Sequence, residues 1–414
     1  MNPQAIPEAE NSPGPGSRST VSLGGETGTL RITVSRGDLT AAVAHAGRAI
    51  PKHAALPVLT GMRAEVAGSR LTLAAYDYET AARASIDGSA AAPGAVLADG
   101  PQLAAAVKAL PRGKSAAVTL EADTRALTLT CEGTRSTVPL LANPGDHPAL
   151  PELPPAAGTV AGEAFARAVS RVAAAAGTDD TLPALTCVRL GLRPDGTVSL
   201  AATDRYRLAT DEMAWTPADL GAAPRDILVP AADLTRFAAG CGDKVTIFLA
   251  PDQRPGNERG LGGSAGLAGF SDGAREVIVR VNDGTFPRVS DLLHRRHVTT
   301  ITCDAGVLGD AVRRAGRLCG RGEPVSVSFA PDGVTVCPVR HGAECGSQTV
   351  PATLAGPPVQ TAFNPGYLAS MLAGVNGDAR ISLTESAKPA LITAGTDGDQ
   401  FRVVIVPMRY KTDA

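Results

Sequence analysis

The sequence predicts an α+β protein built from three structurally similar domains, each with two helices packed on antiparallel sheets. Three observations carry this prediction. Residues 56–83 hold two alternating strand patterns joined by a glycine turn, and a similar stretch returns at residues 182–209. A helical pattern precedes each copy, and a second helix followed by a strand comes after it. The same helix, helix and strand order occurs a third time in the last part of the chain, which indicates a triplication.

The three repeats divide the 414 residues into a tail and three domains. The tail, residues 1–28, is rich in Pro, Gly, Ser and Glu, which is typical of a disordered segment. Proline-rich and turn-rich linkers place the domains at 29–156, 157–297 and 298–414. The second domain carries a glycine-rich insertion at about 252–273, which we interpret as a flexible hairpin tip.

Each repeat supplies two helices and a set of strands. Small and aliphatic residues alternate with polar ones at Leu71, Leu73 and Ala75, and again at Val198, Leu200 and Ala202, which is the period of half-buried strands. The helical segments share many alanines, which let a helix lie close to a sheet. These segments are 37–52, 101–114, 162–177, 230–244, 304–321 and 364–378.

Composition restricts the class of protein. Hydrophobic residues make up 44% of the chain, and no apolar run approaches eighteen residues, so we expect no membrane span. The N-terminus lacks the basic start and apolar stretch of a signal peptide. Seven scattered cysteines without a C-x-x-C pair argue against a disulfide framework. We therefore expect a cytoplasmic protein with mostly buried, inert thiols.

Charge is distributed unevenly. The formal net charge is −2, so bulk charge predicts no nucleic-acid partner, yet the helical segments carry more Lys and Arg than Asp and Glu. Repeated helices would point their basic faces in one direction and attract a phosphate backbone without reading sequence. Aromatic residues are only 3% of the chain, which favours duplex over single strands. The candidate DNA-facing residues are Arg48, Lys52, Lys108, Arg167, Arg171, Arg236, Arg313, Arg314 and Arg317.

Patterns that suggest phosphate or metal binding are weak. The glycine-rich run 260–266 has no strand before it, no helix after it and no Gly-Lys-Ser/Thr. His294 and His297 have ligand-like spacing, but no third ligand is near them in sequence. We predict no metal and no cofactor.

The paired acids also point away from catalysis. Asp77 and Asp204 recur at the same place in the repeat, which favours a turn role, and Asp179 and Asp180 follow a helix, where acids are common. We predict no catalytic residue.

Several motifs together resemble one family. LPxLT followed by a hairpin ending in AATDRYRLA, FNPGYL at the last helix and a terminal VIVPMRY are similar to the bacterial sliding clamp, the beta subunit of DNA polymerase III. AAGTDDTLPALT and ESAKPALI resemble its actinobacterial form. The resemblance covers residues 29–411.

The resemblance implies three DNA-clamp domains that form half of a ring. The ring would be a head-to-tail homodimer with helices lining the hole, would encircle double-stranded DNA, and would tether the catalytic subunit of the replicative polymerase. An ATP-dependent clamp loader would open it. The protein would be non-catalytic, and His53 would occupy a DNA-facing position where the family often has arginine.

The resemblance also implies a hydrophobic pocket that binds short peptides of the polymerase, the loader and other clamp-binding proteins. Carried over onto matching positions, it comprises Leu185, Thr203, Arg205, Tyr206, Arg207, Leu208, Pro287, Leu292, Asn364, Tyr367, Ala387, Pro389, Val404, Ile405, Val406, Pro407, Met408 and Arg409.

Two alternatives remain open from the sequence. Asp291 and Tyr410 depart from the family pattern at the pocket, as would be expected of a divergent second copy of the clamp that is drug-insensitive or regulatory. An enzyme with a nucleotide site in an interdomain cleft would need clustered acids or a metal set, which the sequence does not show.

Overall fold

The structure, a computed structural model, describes residues 29–250, 266–294, 296–339, 346–395 and 399–409. The predicted tail, most of the glycine-rich insertion, Cys345 and Tyr410 lie outside the described residues. The described chain forms three repeated units of two helices on antiparallel sheets, as the sequence predicts. We call them the first, second and third domains.

The first domain holds two helices and nine strands. The helices are α1 (Arg36–Ala46) and α2 (Gly100–Ala109). The strands are β1 (Arg31–Ser35), β2 (Gly61–Ala67), β3 (Arg70–Tyr76), β4 (Thr80–Asp87), β5 (Ser89–Ala92), β6 (Gly94–Asp99), β7 (Ala117–Ala122), β8 (Ala126–Cys131) and β9 (Thr134–Ala142).

The second domain repeats this order with eight strands. Its helices are α3 (Gly162–Ala173) and α4 (Ala231–Ala238), and a short helix, α5 (Ser290–Leu293), lies in the connection to the third domain. The strands are β10 (Ala156–Ala161), β11 (Cys187–Leu192), β12 (Thr197–Thr203), β13 (Arg207–Pro217), β14 (Arg225–Pro230), β15 (Lys244–Leu249), β16 (Leu267–Ser271) and β17 (Arg275–Arg280).

The third domain completes the triplication. Its helices are α6 (Ala305–Gly316) and α7 (Pro365–Leu372). The strands are β18 (Thr299–Asp304), β19 (Val325–Ala330), β20 (Gly333–Pro338), β21 (Gln348–Val350), β22 (Thr353–Ala355), β23 (Val359–Phe363), β24 (Asp378–Leu383), β25 (Ala390–Ala394) and β26 (Arg402–Ile405).

Helix starts recur with the repeat. Ser35 caps α1 and Asp304 caps α6, each accepting a hydrogen bond from the backbone N–H three residues on. Asp99 and Asn364 do the same for α2 and α7, and each is followed by a proline within the first two residues of its helix. A side-chain acceptor at this position satisfies an N–H that the helix itself leaves free.

The repeated hairpin turn confirms the structural role predicted for its aspartates. Asp77 Oδ1 accepts hydrogen bonds from the N–H groups of residues 79 and 80, at 3.0 and 2.7 Å. Asp204 Oδ1 accepts from residues 206 and 207, both at 3.0 Å. The turn places Tyr78 and Arg205 at φ of 75° and 78°, a left-handed conformation that these hydrogen bonds hold in place.

The end of the predicted insertion is a strand. β16 pairs with β15 and β17, and Ala268 and Phe270 are fully buried. The prediction of a flexible hairpin tip across 252–273 was therefore wrong for its last residues. Glycines on both sides of LAGFS obscured the apolar alternation that buries this strand.

Sheets run continuously across both domain boundaries. β4 of the first domain pairs antiparallel with β17 of the second, and β13 of the second pairs with β26 of the third. β4 and β13 occupy the same place in the repeat, and so do β17 and β26. Each joint therefore pairs the strand that ends the repeated hairpin of one domain with the last strand of the next domain. The third domain's counterpart of β4 and β13 is β21, and the first domain's counterpart of β17 and β26 is β9.

Neither of those two counterparts has such a partner among the described residues. β21 pairs only with β20, while β9 pairs with β8 and, near its C-terminal end, with β6. The described residues therefore contain two interdomain joints, while β9 and β21 pair only within their own domains.

The described residues contain two large apolar clusters and two small ones. Buried residues of the first domain, from Leu30 to Val138, form one cluster. Those of the second and third domains, from Val160 to Ile405, form a single larger cluster. Burial raises the pKa of Cys187 and of Cys303 to about 11, so these thiols are inert at neutral pH. No helix in the described residues is long and apolar enough to cross a membrane.

Candidate functional site

An open cleft of about 210 Å³ lies where the second domain's hairpin turn meets helix α7 of the third. It brings together five of the residues predicted for the peptide pocket: Leu185, Arg205, Tyr206, Arg207 and Tyr367. Domain boundaries are common places for ligand clefts, because each side supplies one wall. Part of the residue set predicted for the pocket therefore lines one depression in the fold.

Two tyrosines from different domains form the aromatic wall of this cleft. The rings of Tyr206 and Tyr367 stack with centroids 6.2 Å apart, and Tyr206 is 53% exposed. The Arg207 guanidinium lies 4.4 Å from the centre of the Tyr367 ring. It also donates hydrogen bonds to Asp204 Oδ2 at 3.0 Å and to Ser370 Oγ at 2.6 Å. These contacts fix the aromatic surface before any ligand arrives.

The C-terminal segment runs along the same boundary. The Val406 N–H donates to the Tyr206 carbonyl at 2.8 Å, and the Met408 N–H donates to the Ala362 carbonyl at 2.8 Å. Val406 and Arg409 are exposed, while Pro407 and Met408 are half-buried. Through these two hydrogen bonds, residues 406–409 contact both domains beside the cleft.

Four other predicted pocket residues are buried. Thr203, Leu208 and Val404 lie on the outer face of the sheet, and Ile405 belongs to the core. Helix α5 packs against β26 over this face. As a result, the tyrosine side of the predicted pocket is open and its Leu208 side is covered.

The remaining predicted pocket residues lie around these two parts. Leu292 is half-buried on α5 and Pro287 is exposed in the connection before it. Asn364 caps α7, and its side chain accepts from the Tyr367 N–H at 3.1 Å. Ala387 is exposed and Pro389 half-buried in the turn between β24 and β25.

Sequence reasoning missed one wall of the cleft. Residues 176–179, in the loop after α3, and Leu182, the first residue of LPALT, line the depression. Asp179 accepts hydrogen bonds from the hydroxyl and N–H of Thr181, and these lower the pKa of its carboxyl group. The signal was present, because AAGTDDTLPALT had already marked this loop as a family motif.

The predicted DNA-facing residues are mostly exposed on the helices and the loop after α1. The exposed members are Lys52, His53, Lys108, Arg167, Arg236, Arg313, Arg314 and Arg317. Arg48 is half-buried and donates to the Arg236 carbonyl, across the boundary between the first two domains. Burial, followed by the charges of Arg275 and Arg236, lowers the pKa of Arg48. Cations of two domains therefore meet at this boundary.

The prediction that Arg171 faces DNA was wrong. Its side chain is only 8% exposed, and it donates to both carboxylate oxygens of Asp399 at 3.0 and 3.1 Å. Asp211 lies 3.6 Å away, and the guanidinium stacks 5.1 Å from the centre of the Phe401 ring. Arg171 is thus an internal ion-pair partner that joins two domains, and it does not face a DNA channel.

No group of three or more potential metal ligands occurs in the described part of the chain. Of the histidines set aside from the sequence, His294 is exposed and His297 half-buried.

Comparison with known proteins agrees with this architecture. Three family models match: DNA polymerase III beta subunit N-terminal domain at residues 30–151, central domain at 159–288, and C-terminal domain at 291–409. The beta sliding clamp of Streptomyces coelicolor is 35% identical over 391 residues, 92% of this chain and 99% of that protein. The beta sliding clamp homolog GriR of Streptomyces muensis is 31% identical over 393 residues, 92% of this chain and all of that protein.

A solved structure shows the same fold. The beta sliding clamp of C. crescentus has a TM-score of 0.77 at 22% identity, and the match covers 92% of this chain and 100% of that one. Three repeated domains joined by shared sheets, with a cleft at one joint, define a clamp subunit of the replication machinery. The chain belongs to the DNA polymerase III beta subunit family, the non-catalytic sliding clamps that serve as processivity factors, and its Streptomyces relatives place it with the actinobacterial type.

Proposed function

We propose that two copies of this chain close head to tail into a ring of six domains around double-stranded DNA. One observation carries the proposal: β9 and β21 are the unmatched halves of a sheet joint that the chain already makes twice. An open strand edge exposes unpaired N–H and C=O groups, and pairing β21 of one copy with β9 of another would satisfy them. Such a head-to-tail contact generates a closed ring when the rotation between copies is right.

The cationic helices suit the inside of such a ring. Exposed Lys and Arg residues occur on four of the six long helices that the structure describes, α2, α3, α4 and α6, and their charges need no particular base sequence. The helix layer would face the duplex and the sheets would form the outer rim. Enclosure would then hold the protein on DNA while the weak backbone contacts allow it to slide.

The cleft beside Tyr206 and Tyr367 would serve as the docking site for short peptides. Its aromatic wall and fixed arginine suit an apolar segment with one or two polar groups. The partners would be the catalytic subunit of the replicative polymerase, the ATP-dependent clamp loader and other clamp-binding proteins in the cytoplasm.

Retention on DNA of different topology tests the proposal. The protein would be loaded onto a nicked circle, and half of the sample would then be linearised with a restriction enzyme. We expect the protein to stay on the circle through gel filtration and to run off the linear DNA, because only a free end releases a closed ring. Equal loss from both forms would contradict enclosure.

The open edge of β9 provides a sharper test of ring closure. The Leu140 N–H donates to the carbonyl of Arg125, the residue just before β8. Because N–H directions alternate along a strand, the Thr137 N–H points away from β8, towards the open edge. Thr137→Pro removes that donor, so we expect weaker dimerisation in a concentration series measured by sedimentation. Thr137→Ala keeps the N–H and serves as the control; an unchanged dimer with both variants would place the subunit interface elsewhere.

A divergent second copy of the clamp is the second candidate. The observation that favours it is exposed Asp291 on α5, where the family pattern usually has a basic or amide residue. If this aspartate alters the docking site, Asp291→Lys should change the affinity for polymerase peptides in a fluorescence titration. Unchanged affinity would leave this candidate without support.

A further inference from the structure

A second cleft, of about 350 Å³, lies beside the proposed docking site on the outer face of the sheet. Its floor is formed by β12, β13 and β26, and its roof by the connection that leads into α5. The lining residues that matter here are Arg189, Thr210, Glu212, Pro287, Arg288 and Arg402. None of them except Pro287 belongs to the predicted peptide pocket.

The register of the strands places the second cleft next to the covered side of the predicted pocket. Leu208 lies opposite Val404, and two residues further along the ladder Thr210 lies opposite Arg402. Residues two apart on a strand share a face and are about 7 Å apart. Along the strands, the buried row of Leu208 and Val404 is followed by the row that carries Arg402, and Pro287 lines the second cleft.

The charges of this cleft leave a cationic excess. Arg189 is paired with Asp226 at 3.0 Å, and Asp211 lies under the sheet against Arg171. Within the described residues, Arg288 and Arg402 have no ion-pair partner, and Glu212 is the one carboxylate of the lining that remains to offset them. Two guanidinium groups without an ion-pair partner, close to an apolar docking site, favour a carboxylate ligand.

We propose that this cleft, through Arg288 and Arg402, binds acidic residues that flank the apolar segment of a docked clamp-binding peptide. The inference rests on the proposed docking function and assigns it a second, electrostatic subsite. The carboxylate can come from side chains on either flank of the segment or from the peptide's terminal carboxyl group. These sources share one chemistry, and the test separates them.

Fluorescence polarisation with synthetic peptides tests the inference. The probes are a clamp-binding peptide of the polymerase with three glutamates before its apolar segment, one with three glutamates after it, and matching peptides with glutamine. A further pair carries a free or an amidated C-terminus. We expect one glutamate peptide, or the free acid, to bind about fivefold more tightly than its neutral match at low salt, a typical gain for partly exposed ion pairs.

The arginines are then changed one at a time. Arg402→Gln and Arg288→Gln should remove most of the preference and leave the affinity for the neutral peptide unchanged, while Arg402→Lys should retain part of it. Arg380→Gln is the matched control. Arg380 on β24 lies opposite Thr393 on β25, which lies opposite Arg402 on β26, but Arg380 is outside the cleft. Melting temperatures would confirm that the variants are folded.

The outcomes separate the two proposals. Equal binding of acidic and neutral peptides, or a preference that survives loss of both arginines, would overturn the second subsite and leave docking intact. Failure of every peptide to bind would overturn the docking site and, with it, the subsite that depends on it.

Discussion

The two interdomain joints use matching strands but are held together differently. At the joint of the first and second domains, β4 and β17 pair over a surface with partly exposed ion pairs, and the two cores stay separate. At the joint of the second and third domains, β13 and β26 pair above a shared apolar core that encloses the buried Arg171 ion pair. Both joints thus use the same strand pairing. We call the joint of the first and second domains the polar joint, and the joint of the second and third domains the fused joint.

This difference has a consequence for function. The proposed docking site is built from side chains of the second and third domains, so its geometry depends on the fused joint being rigid. The polar joint carries no such site and instead brings Arg48 of the first domain beside Arg236 of the second. We therefore expect changes at the fused joint to cost more stability, and to disturb peptide docking more, than changes at the polar joint.

The largest effect is expected from Arg171→Met. The substitution leaves the Asp399 and Asp211 carboxylates without their cation, and Asp211 is already buried enough that its pKa is raised. Removing one partner of a buried pair typically costs about 3–5 kcal/mol. Urea unfolding would measure the loss.

Arg167→Met is the matched control, one turn earlier on α3. Arg167 is half exposed and, among the described residues, forms an ion pair with Glu163 alone, so its removal should cost less than about 0.5 kcal/mol. Similar losses in both variants would show that Arg171 does not stabilise the joint specifically.

The next effect is a pH dependence at the polar joint. His45 is buried there, donates from Nε2 to the Glu276 carbonyl at 2.9 Å, and has no partner at Nδ1. Burial is the main cause that lowers the pKa of His45 to about 4; the charges of Arg48 and Arg275 act in the same direction, and Asp272 acts against them. The unfolded chain therefore takes up this proton at higher pH than the folded chain.

The stability contributed by neutral His45 should be complete above pH 6.5 and decline as the pH falls towards 4. A shift of this size corresponds to a loss on the order of 3 kcal/mol across that window. Denaturant titrations at several pH values would detect it as a difference between the wild type and His45→Gln. Parallel pH profiles for the two proteins would mean that His45 does not titrate as its burial requires.

The smallest effect is expected from Arg83→Gln. Arg83 and Glu276 are cross-strand neighbours at the polar joint with a 3.0 Å ion pair, and their side chains are 37% and 24% exposed. Partly solvated pairs contribute up to about 1 kcal/mol and are screened by salt. We expect a small loss of stability that disappears at high ionic strength; a loss as large as that of Arg171→Met would contradict the distinction between the joints.

The sequence predicted the features that repeat. The two helices per domain, the strands of the hairpins and the aspartate turns recur in the chain, so each copy supported the others. Arg171 could not be placed in this way. It lies four residues after exposed Arg167 on the same helix face, and its partner Asp399 is 228 residues away. Only the packing of the third domain against the end of α3 buries it.

The second cleft escaped prediction for a similar reason. Arg288 and Arg402 are far apart in the chain, and neither was among the residues carried over for the pocket. The strand register alone places Arg402 beside Thr210. Local patterns report periodicity and turns, while contacts between distant segments depend on how the sheets join.

The central claim is that the chain is half of a ring whose third kind of joint forms between copies. The molecular mass of the full chain in solution, measured by sedimentation equilibrium over a range of concentrations, tests it most directly. The account predicts a species of twice 42.0 kDa, held by β9 of each copy against β21 of the other. A 42.0 kDa species at every concentration would contradict it, because a single chain with three domains cannot enclose DNA.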